Sequence, residues 1–258
     1  MAIAAAFVIT ASIITERSGP AIGALVASLP VSAGPSYIFL AIDHDAAFVA
    51  QGALAGLPVN AATILMCLAY MFLARRFSLA VSLAAGIGVW ITFAVLVSTI
   101  HWPLAAGIAL NVAVLMLCLP LVQRFRNARM PLITRRWYDI PLRAALVATV
   151  VAIVVTLSGR VGATISGIIA LFPVVFTSLI LILHPRIGAP ATAAVMANSQ
   201  WGMIGFASAI VILHLAAMPL GSAAALSLAL ATCLGWNLAL WLFARYRLRR
   251  ASRSSFPP

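Results

Sequence analysis

Side chains that could bind a polar solute lie inside long apolar stretches of this sequence. The most polar run of this kind is Asn198-Ser199-Gln200. An amide buried in lipid needs a hydrogen-bond partner, which is either a solute or cation in a binding site or a group on a neighbouring helix. We favour a binding site for Asn198 and Gln200. We favour bonds between helices for three further amides, Asn60, Asn111 and Asn237.

Two prolines lie near the middle of such stretches, Pro30 within 20–41 and Pro173 within 162–183. Proline has no N–H and clashes with the preceding turn, so it kinks a helix and frees backbone carbonyls. Free carbonyls at membrane depth are tolerated only against protein or a water-filled cavity. We therefore expect either a site between two kinked helices or ordinary packing kinks. The hydroxyl groups that follow the two prolines would line the site: Ser32, Ser36, Thr177 and Ser178.

The charged residues offer two further candidates. Arg17 and Arg160 each precede an apolar stretch whose helix N-terminus would favour an anion. We include Arg160 among the solute-binding candidates, the alternative being contact with phospholipid headgroups. The run Asp43-His44-Asp45 places two carboxylates and an imidazole on one loop. Consecutive residues converge poorly on one metal, so we expect a solvated loop and no metal site.

Composition assigns the chain to a class. Of its 258 residues 64% are apolar and 8% are charged, whereas water-soluble domains carry about 25% charged residues. The mean hydropathy is +1.15. These values exclude a soluble enzyme, a disordered chain and a secreted disulfide scaffold, and they predict an all-α polytopic membrane protein. We expect the three cysteines to be packing residues, because they lie in apolar segments without a metal-binding spacing: Cys67, Cys118 and Cys233.

Polar breaks divide the chain into about nine predicted membrane spans. An upright helix needs about 20 residues to cross a bilayer, so the first stretch is short for a full span. Continuous apolar runs, as opposed to alternating ones, favour helices over strands. The predicted spans are 1–15, 20–41, 46–74, 78–99, 103–123, 139–158, 162–183, 189–215 and 219–244.

The arginines predict how the chain is oriented. All 16 basic residues are arginine, and nine spans place 15 of them on one side of the membrane, with Arg160 as the exception. Cytoplasmic loops of membrane proteins concentrate basic residues. We therefore expect a multi-pass protein of the cell inner membrane with its N-terminus outside and its C-terminus in the cytoplasm. Topology then accounts for the net charge of +12 without a nucleic-acid partner.

The two halves of the sequence resemble each other. The run RSGPAIGALVASLPV, which begins at Arg17, aligns with RVGATISGIIALFPV, which begins at Arg160. After a four-residue insertion the match continues at an offset of 147 and pairs Gln51 with Asn198. Gln51 is for this reason a further solute-binding candidate.

This similarity predicts two four-helix repeats, at 1–99 and 139–246. A connector helix and a basic cytoplasmic loop occupy 100–138, and a basic disordered tail occupies 247–258. Because a single helix connects the repeats, the second repeat enters the membrane from the opposite face. Inverted repeats of this kind are common in secondary transporters.

Part of the second repeat also resembles a known family. The run SGIIALFPV at 166–174, the polar break at 184–190 and the following helix with Asn198-Ser199-Gln200-Trp201 resemble the GlpM-like family of small inner-membrane proteins. The resemblance covers about 160–245. It implies about four spans per copy, so that the chain would be two fused copies in the inner membrane. It implies no substrate and no activity.

Together these features predict a secondary transporter or exporter of a small polar or anionic solute, with a midplane site between the two kinked helices. The alternatives are a lipid flippase and a membrane scaffold or assembly factor without transport. We predict no catalytic activity, because nucleotide-binding, zincin and serine-hydrolase motifs are absent from the sequence. Membrane lipid and a small solute are the expected partners, a homodimer is left open, and no cofactor is expected.

Overall fold

The helix Ala46–Leu73 lies at the centre of the structure, and most other helices pack against it. The computed structural model describes residues 33–126 and 139–254. A short 3₁₀ helix, Gln123–Phe125, directly follows the α-helix Leu104–Val122. In chain order the helices are α1 Ala33–Asp43, α2 Ala46–Leu73, α3 Leu79–Ser98, α4 Leu104–Val122, α5 Asp139–Ala170, α6 Val174–Ser199, α7 Gly202–Leu220 and α8 Ser222–Ser254.

The chain is an all-helical membrane protein. Backbone groups in lipid must find partners within the protein, and a helix pairs them within a single segment. In the described part of the chain, six helical stretches are long and apolar enough to cross a bilayer: Ala46–Leu73, Leu79–Ser98, Leu104–Phe125, Pro141–Ser199, Gly202–Leu220 and Ser222–Tyr246.

The 59-residue stretch Pro141–Ser199 is not one straight helix. Gly162 has φ of 76° and Gly188 has φ of 77°, a backbone region that glycine enters without the steric cost of a side chain. The chain therefore changes direction at both glycines. Gly162 is the first residue of the predicted span 162–183, and Gly188 lies between the predicted spans 162–183 and 189–215.

Several sequence-based boundaries agree with the structure to within one or two residues. Helices α2, α3 and α4 match the predicted spans 46–74, 78–99 and 103–123. Helix α2 begins where predicted because the Asp45 side chain accepts a hydrogen bond from the Phe48 N–H at 2.9 Å, which caps the helix. The run at 43–45 therefore joins the end of α1 at Asp43 to the start of α2.

Other predictions differ from the structure or fall outside it. The predicted span 189–215 is interrupted at Gln200 and Trp201, where α6 ends and α7 begins. Helix α8 continues to Ser254, into the segment predicted to be a disordered tail. The span 1–15, Arg17 and the loop residues 127–138 lie outside the described residues, and the span 20–41 is described only from residue 33.

The core and the lipid-facing surface separate clearly. Tyr70, Leu57 and Met66 on α2 are almost completely buried. On α3, α4 and α8 large apolar side chains are exposed, with Met116 and Leu117 each 71% accessible. Such exposure would be costly in water but suits contact with acyl chains. The outer helices therefore shield α2 from lipid.

The expected bonds between amides on different helices are confirmed for one pair. Asn60 on α2 donates to the Oδ1 atom of Asn111 on α4 at 2.8 Å, and both side chains are buried. Asn111 also donates to the carbonyl oxygen of Leu57 at 2.8 Å. Asn237 instead donates within its own helix, to the carbonyl oxygen of Cys233. The Asn60–Asn111 pair fixes α4 against the central helix.

Candidate functional site

The helix around Pro173 is interrupted within an apolar region. Helix α5 ends at Ala170 and α6 begins at Val174. Because proline has no N–H, it cannot continue the helical ladder. The Phe172 N–H donates to the carbonyl oxygen of Ile169 at 3.0 Å, and the Val174 N–H donates to that of Phe172 at 2.7 Å. Residues 171–173, which we call the helix break, therefore separate two helical segments. This confirms the predicted kink at Pro173.

The helix break packs against the middle of α2. The Phe172 ring lies 5.2 Å from the Trp90 ring, edge to face, and Trp90 donates to the hydroxyl of Thr63 on α2 at 3.2 Å. The Leu171 Cδ1 atom lies 3.0 Å from the point that a Cβ on Gly56 would occupy. Gly56 and Thr63 flank the middle of the 28-residue helix α2. If α2 crosses the bilayer, the helix break lies near the midplane.

The start of α6 presents unsatisfied donors to the helix break. The first N–H groups of a helix have no partner within that helix. The Val174 N–H turns back to Phe172, and the Thr177 N–H donates to the carbonyl oxygen of Pro173 at 2.9 Å. The N–H groups of Val175 and Phe176 are therefore the donors that this end of α6 presents. The positive end of the helix dipole lies at the same place.

Thr177 adds a hydroxyl one turn into α6. Its side chain is 7% accessible, and within the described residues its Oγ1 atom has no hydrogen-bond partner. A buried polar atom without a partner costs about 1–3 kcal/mol, so such atoms are rare unless a ligand or water supplies the partner. Thr177 therefore stays a candidate for a polar site.

Tyr37 on α1 also reaches the helix break, which was not foreseen from the sequence. Its Oη atom lies 3.3 Å from the point where a Cβ on Gly56 would be, the same point that Leu171 approaches. The side chain is 3% accessible, and its hydroxyl has no partner among the described residues. The available signal was a tyrosine within an apolar span, since a buried tyrosine hydroxyl normally needs a partner.

Asn198 and Gln200 have partners within the protein. Asn198 donates to the carbonyl oxygen of Ala194 at 2.9 Å, and its Oδ1 atom accepts from the Arg126 Nε atom at 3.0 Å. Gln200 donates to the carbonyl oxygen of Met196 at 3.0 Å and also approaches the Cys67 thiol, but its buried Oε1 atom has no hydrogen-bond partner among the described residues. Both amides lie at the C-terminal end of α6, beyond the change of direction at Gly188.

The remaining candidates are distributed over several parts of the molecule. Ser178 is buried and donates to the carbonyl oxygen of Val175 at 2.9 Å, and Ser36 is buried on α1. Gln51 and Arg160 are exposed on the surface. The structure therefore places Thr177 one turn after Pro173 and Tyr37 beside Leu171 of the helix break, and it leaves Gln51 and Arg160 on the surface. The two further candidates, Pro30 and Ser32, lie outside the described residues.

The segment around the helix break carries neither charged residues nor histidines. No residue in 163–181 is charged or a histidine. His44 bonds to Ser158 at 2.8 Å, His184 bonds to Tyr70 at 2.6 Å, and His214 bonds to the carbonyl oxygen of Ala50 at 2.8 Å. Within the described ranges no three His, Cys, Asp or Glu side chains are grouped so that they could hold a metal ion.

An apolar cavity lies between α1, α7 and α8. It has a volume of about 90 Å³, and Tyr37 forms part of its wall. Its other lining residues carry only apolar side chains or none, among them Ile38, Phe206, Leu213 and Ala229. Tyr37 is thus shared between this cavity and the helix break, which its hydroxyl reaches.

Comparison of the chain with protein-family models, with curated proteins and with solved structures gives no match. The polar groups at the helix break and the apolar cavity beside them are therefore the basis for assigning a function.

Proposed function

We propose that this chain is a secondary transporter of a small polar or anionic solute, and that the solute binds at the helix break. The observation that carries the proposal is the interruption at Pro173 against the middle of α2, with the buried Thr177 hydroxyl lacking a protein partner. Secondary transporters commonly bind solutes at such discontinuous helices, where N-terminal N–H groups face the solute.

The energetics of the helix break favour a ligand over simple packing. A break in lipid costs free energy for each backbone or hydroxyl group left without a partner. The donors at the start of α6 and the hydroxyl of Thr177 are such groups. A solute with acceptor oxygens would satisfy both kinds of group and leave again when the site opens. A scaffold gains nothing from leaving these groups unpaired.

Contacts between α2 and α7 support the inverted-repeat arrangement that transport would use. These helices are equivalent in the sequence repeat. The carbonyl oxygen of Ala50 meets His214 at 2.8 Å, and Asn60 meets the carbonyl oxygen of Met203 at 3.5 Å. As residue numbers rise along α2 they fall along α7, so the two helices run in opposite directions. Rocking of one repeat against the other would then expose the helix break to alternate sides.

We further propose an inner-membrane location with a cytoplasmic C-terminus, and kinship with the GlpM-like family by fusion of two copies. The arginine distribution supports the first, and the SGIIALFPV run supports the second. We assign no catalytic role. A flippase or a scaffold is the alternative that failure of the transport test would favour.

The test is flux into proteoliposomes of the purified full chain, with protein-free liposomes as background. The panel contains inorganic phosphate, small carboxylates, amino acids, a sugar alcohol and an alkylammonium. Replacing Thr177 with Val removes the hydroxyl and nearly keeps the shape. The matched control is Thr156→Val, because Thr156 is exposed on α5 and donates to the carbonyl oxygen of Ala152 at 2.7 Å.

We expect the wild type to move at least one panel solute. We expect Thr177→Val to reduce that flux by about tenfold, since a lost hydrogen bond to a solute costs about 1–2 kcal/mol, and Thr156→Val to leave it unchanged. Absence of flux for the whole panel would contradict transport of a small solute. Full flux in the Thr177→Val variant would remove Thr177 from the site.

A further inference from the structure

We propose that the solute is a monocarboxylate with a short apolar chain. Its carboxylate is held at the helix break by Tyr37, Thr177 and the first N–H groups of α6, and its chain enters the adjacent apolar cavity. This inference rests on the proposed transport function and names its substrate class.

The groups at the helix break can all donate a hydrogen bond, and the two hydroxyl groups can also accept one. The hydroxyl groups of Tyr37 and Thr177 are both more than nine-tenths buried and lack partners among the described residues. The N–H groups of Val175 and Phe176 can only donate. The ligand must therefore supply acceptor oxygens, which a carboxylate does with two oxygens and about four lone-pair sites.

The charge at the helix break fits a single negative charge. No acidic residue lies in 163–181, so nothing there would compensate a cation. The N-terminus of α6 supplies about half a positive charge, and no arginine lies in that segment to neutralise a second negative charge. A dianion would therefore keep an uncompensated charge at membrane depth, where charges are expensive. A monoanion is the best match.

The apolar cavity indicates what the uncharged part of the ligand is. Tyr37 links the two regions, because it is one of the residues that line the cavity and its hydroxyl lies beside Leu171 at the helix break. A cavity of about 150 Å³ holds a benzene molecule. The cavity of about 90 Å³ found here accommodates a chain of only a few carbons. A ligand with its carboxylate at the helix break would thus extend a short alkyl chain past Tyr37.

The experiment measures equilibrium binding of labelled butanoate to the purified full chain in detergent. Acetate, decanoate, inorganic phosphate and butylammonium serve as competitors. We expect butanoate to bind about tenfold more tightly than acetate, because two methylene groups leave water. We expect phosphate and butylammonium not to compete.

Two pairs of variants test the contacts separately. Tyr37→Phe should weaken butanoate binding by about tenfold or more through loss of one hydrogen bond to a charged group, whereas Tyr246→Phe on exposed α8 should not. Ala229→Leu should fill the cavity and remove the preference for butanoate over acetate. The exposed Ala224→Leu is its control, and the smaller Ala229→Val serves if the leucine variant does not purify as a single species.

Several outcomes would overturn the inference. Competition by phosphate or butylammonium as strong as that by butanoate would refute a monoanion, and tighter binding of decanoate would point to a long-chain acid from the bilayer. Unchanged binding in Tyr37→Phe would refute the tyrosine contact. If the protein moves another panel solute but does not bind butanoate, the substrate class is wrong while transport stands. If it binds butanoate but moves nothing, the site stands without transport.

Discussion

Gly167 and Gly52 cross so closely that there is no room for a side chain on Gly167. A Cβ placed on Gly167 would lie 2.1 Å from the carbonyl oxygen of Gly52, a backbone atom that cannot rotate away. Small residues allow membrane helices to approach in this way, and packing is the main force that joins helices in lipid. The crossing holds the last segment of α5 against α2 and thereby positions the helix break four residues later.

This contact predicts the effect of Gly167→Ala. The added methyl group would push α5 away from α2, and overpacking of this kind costs about 1–3 kcal/mol even where the neighbours can move. The melting temperature of the detergent-purified chain should fall by several degrees. Gly159→Ala is the control on the same helix, because nothing lies within 4 Å of its Cβ position. Equal melting temperatures for the two variants would contradict the close crossing.

A second prediction concerns the ion pair that joins the start of α5 to the end of the first segment of α6. The Arg186 Nη1 atom lies 2.7 Å from the Asp139 Oδ2 atom, the Nη2 atom contacts Oδ1, and each side chain is only 11% accessible. Removing one partner of such a pair costs about 3–5 kcal/mol, because the other charge stays buried. Asp139→Asn should therefore melt at a clearly lower temperature.

The same melting assay supplies the comparison for this pair. Arg76→Gln removes an exposed arginine and should leave the melting temperature nearly unchanged. Exchange of the two charges, Asp139→Arg with Arg186→Asp, should recover part of the stability lost in Asp139→Asn. If Asp139→Asn lowers the melting temperature no more than Arg76→Gln does, the ion pair contributes little to stability.

The amide pair on α2 and α4 gives a third prediction. Asn60 and Asn111 form a buried hydrogen bond of 2.8 Å, and Asn111 makes two further bonds to carbonyl oxygens. In a double-mutant cycle with Leu, the two residues should show a coupling energy of about 0.6–2 kcal/mol. Asn111→Leu should be the more harmful single change, because it removes more bonds. Additive effects of the two substitutions would argue against the contact.

Cysteine labelling tests the proposed orientation. Single cysteines at Asp43 and Pro185, both exposed, should react with a membrane-impermeant maleimide from opposite sides of the membrane. The native cysteines should react little with the maleimide, because Cys67, Cys118 and Cys233 are all buried. Labelling of residues 43 and 185 from the same side would refute the inverted repeats and the orientation with them.

The sequence predicted helix boundaries well wherever a polar residue marks the end of an apolar run. The boundaries of α2, α3 and α4 were predicted closely because a charged or capping residue at the end of an apolar run costs free energy inside lipid. The break at Pro173 was predicted for a local reason as well, since the missing N–H acts within one turn. The interruption at Gln200 was not predicted, because neither proline nor a left-handed glycine marks it.

The sequence by itself determined that this is an all-helical membrane protein, where α2, α3 and α4 begin and end, and that the chain breaks its helix at Pro173. Only the tertiary structure decided which polar groups meet. It placed Tyr37 beside the helix break, exposed Gln51, and gave Asn198 a partner in Arg126. The physical reason is that helices apolar on every side carry no amphipathic pattern. Which face meets protein and which meets lipid is settled by close packing among the helices.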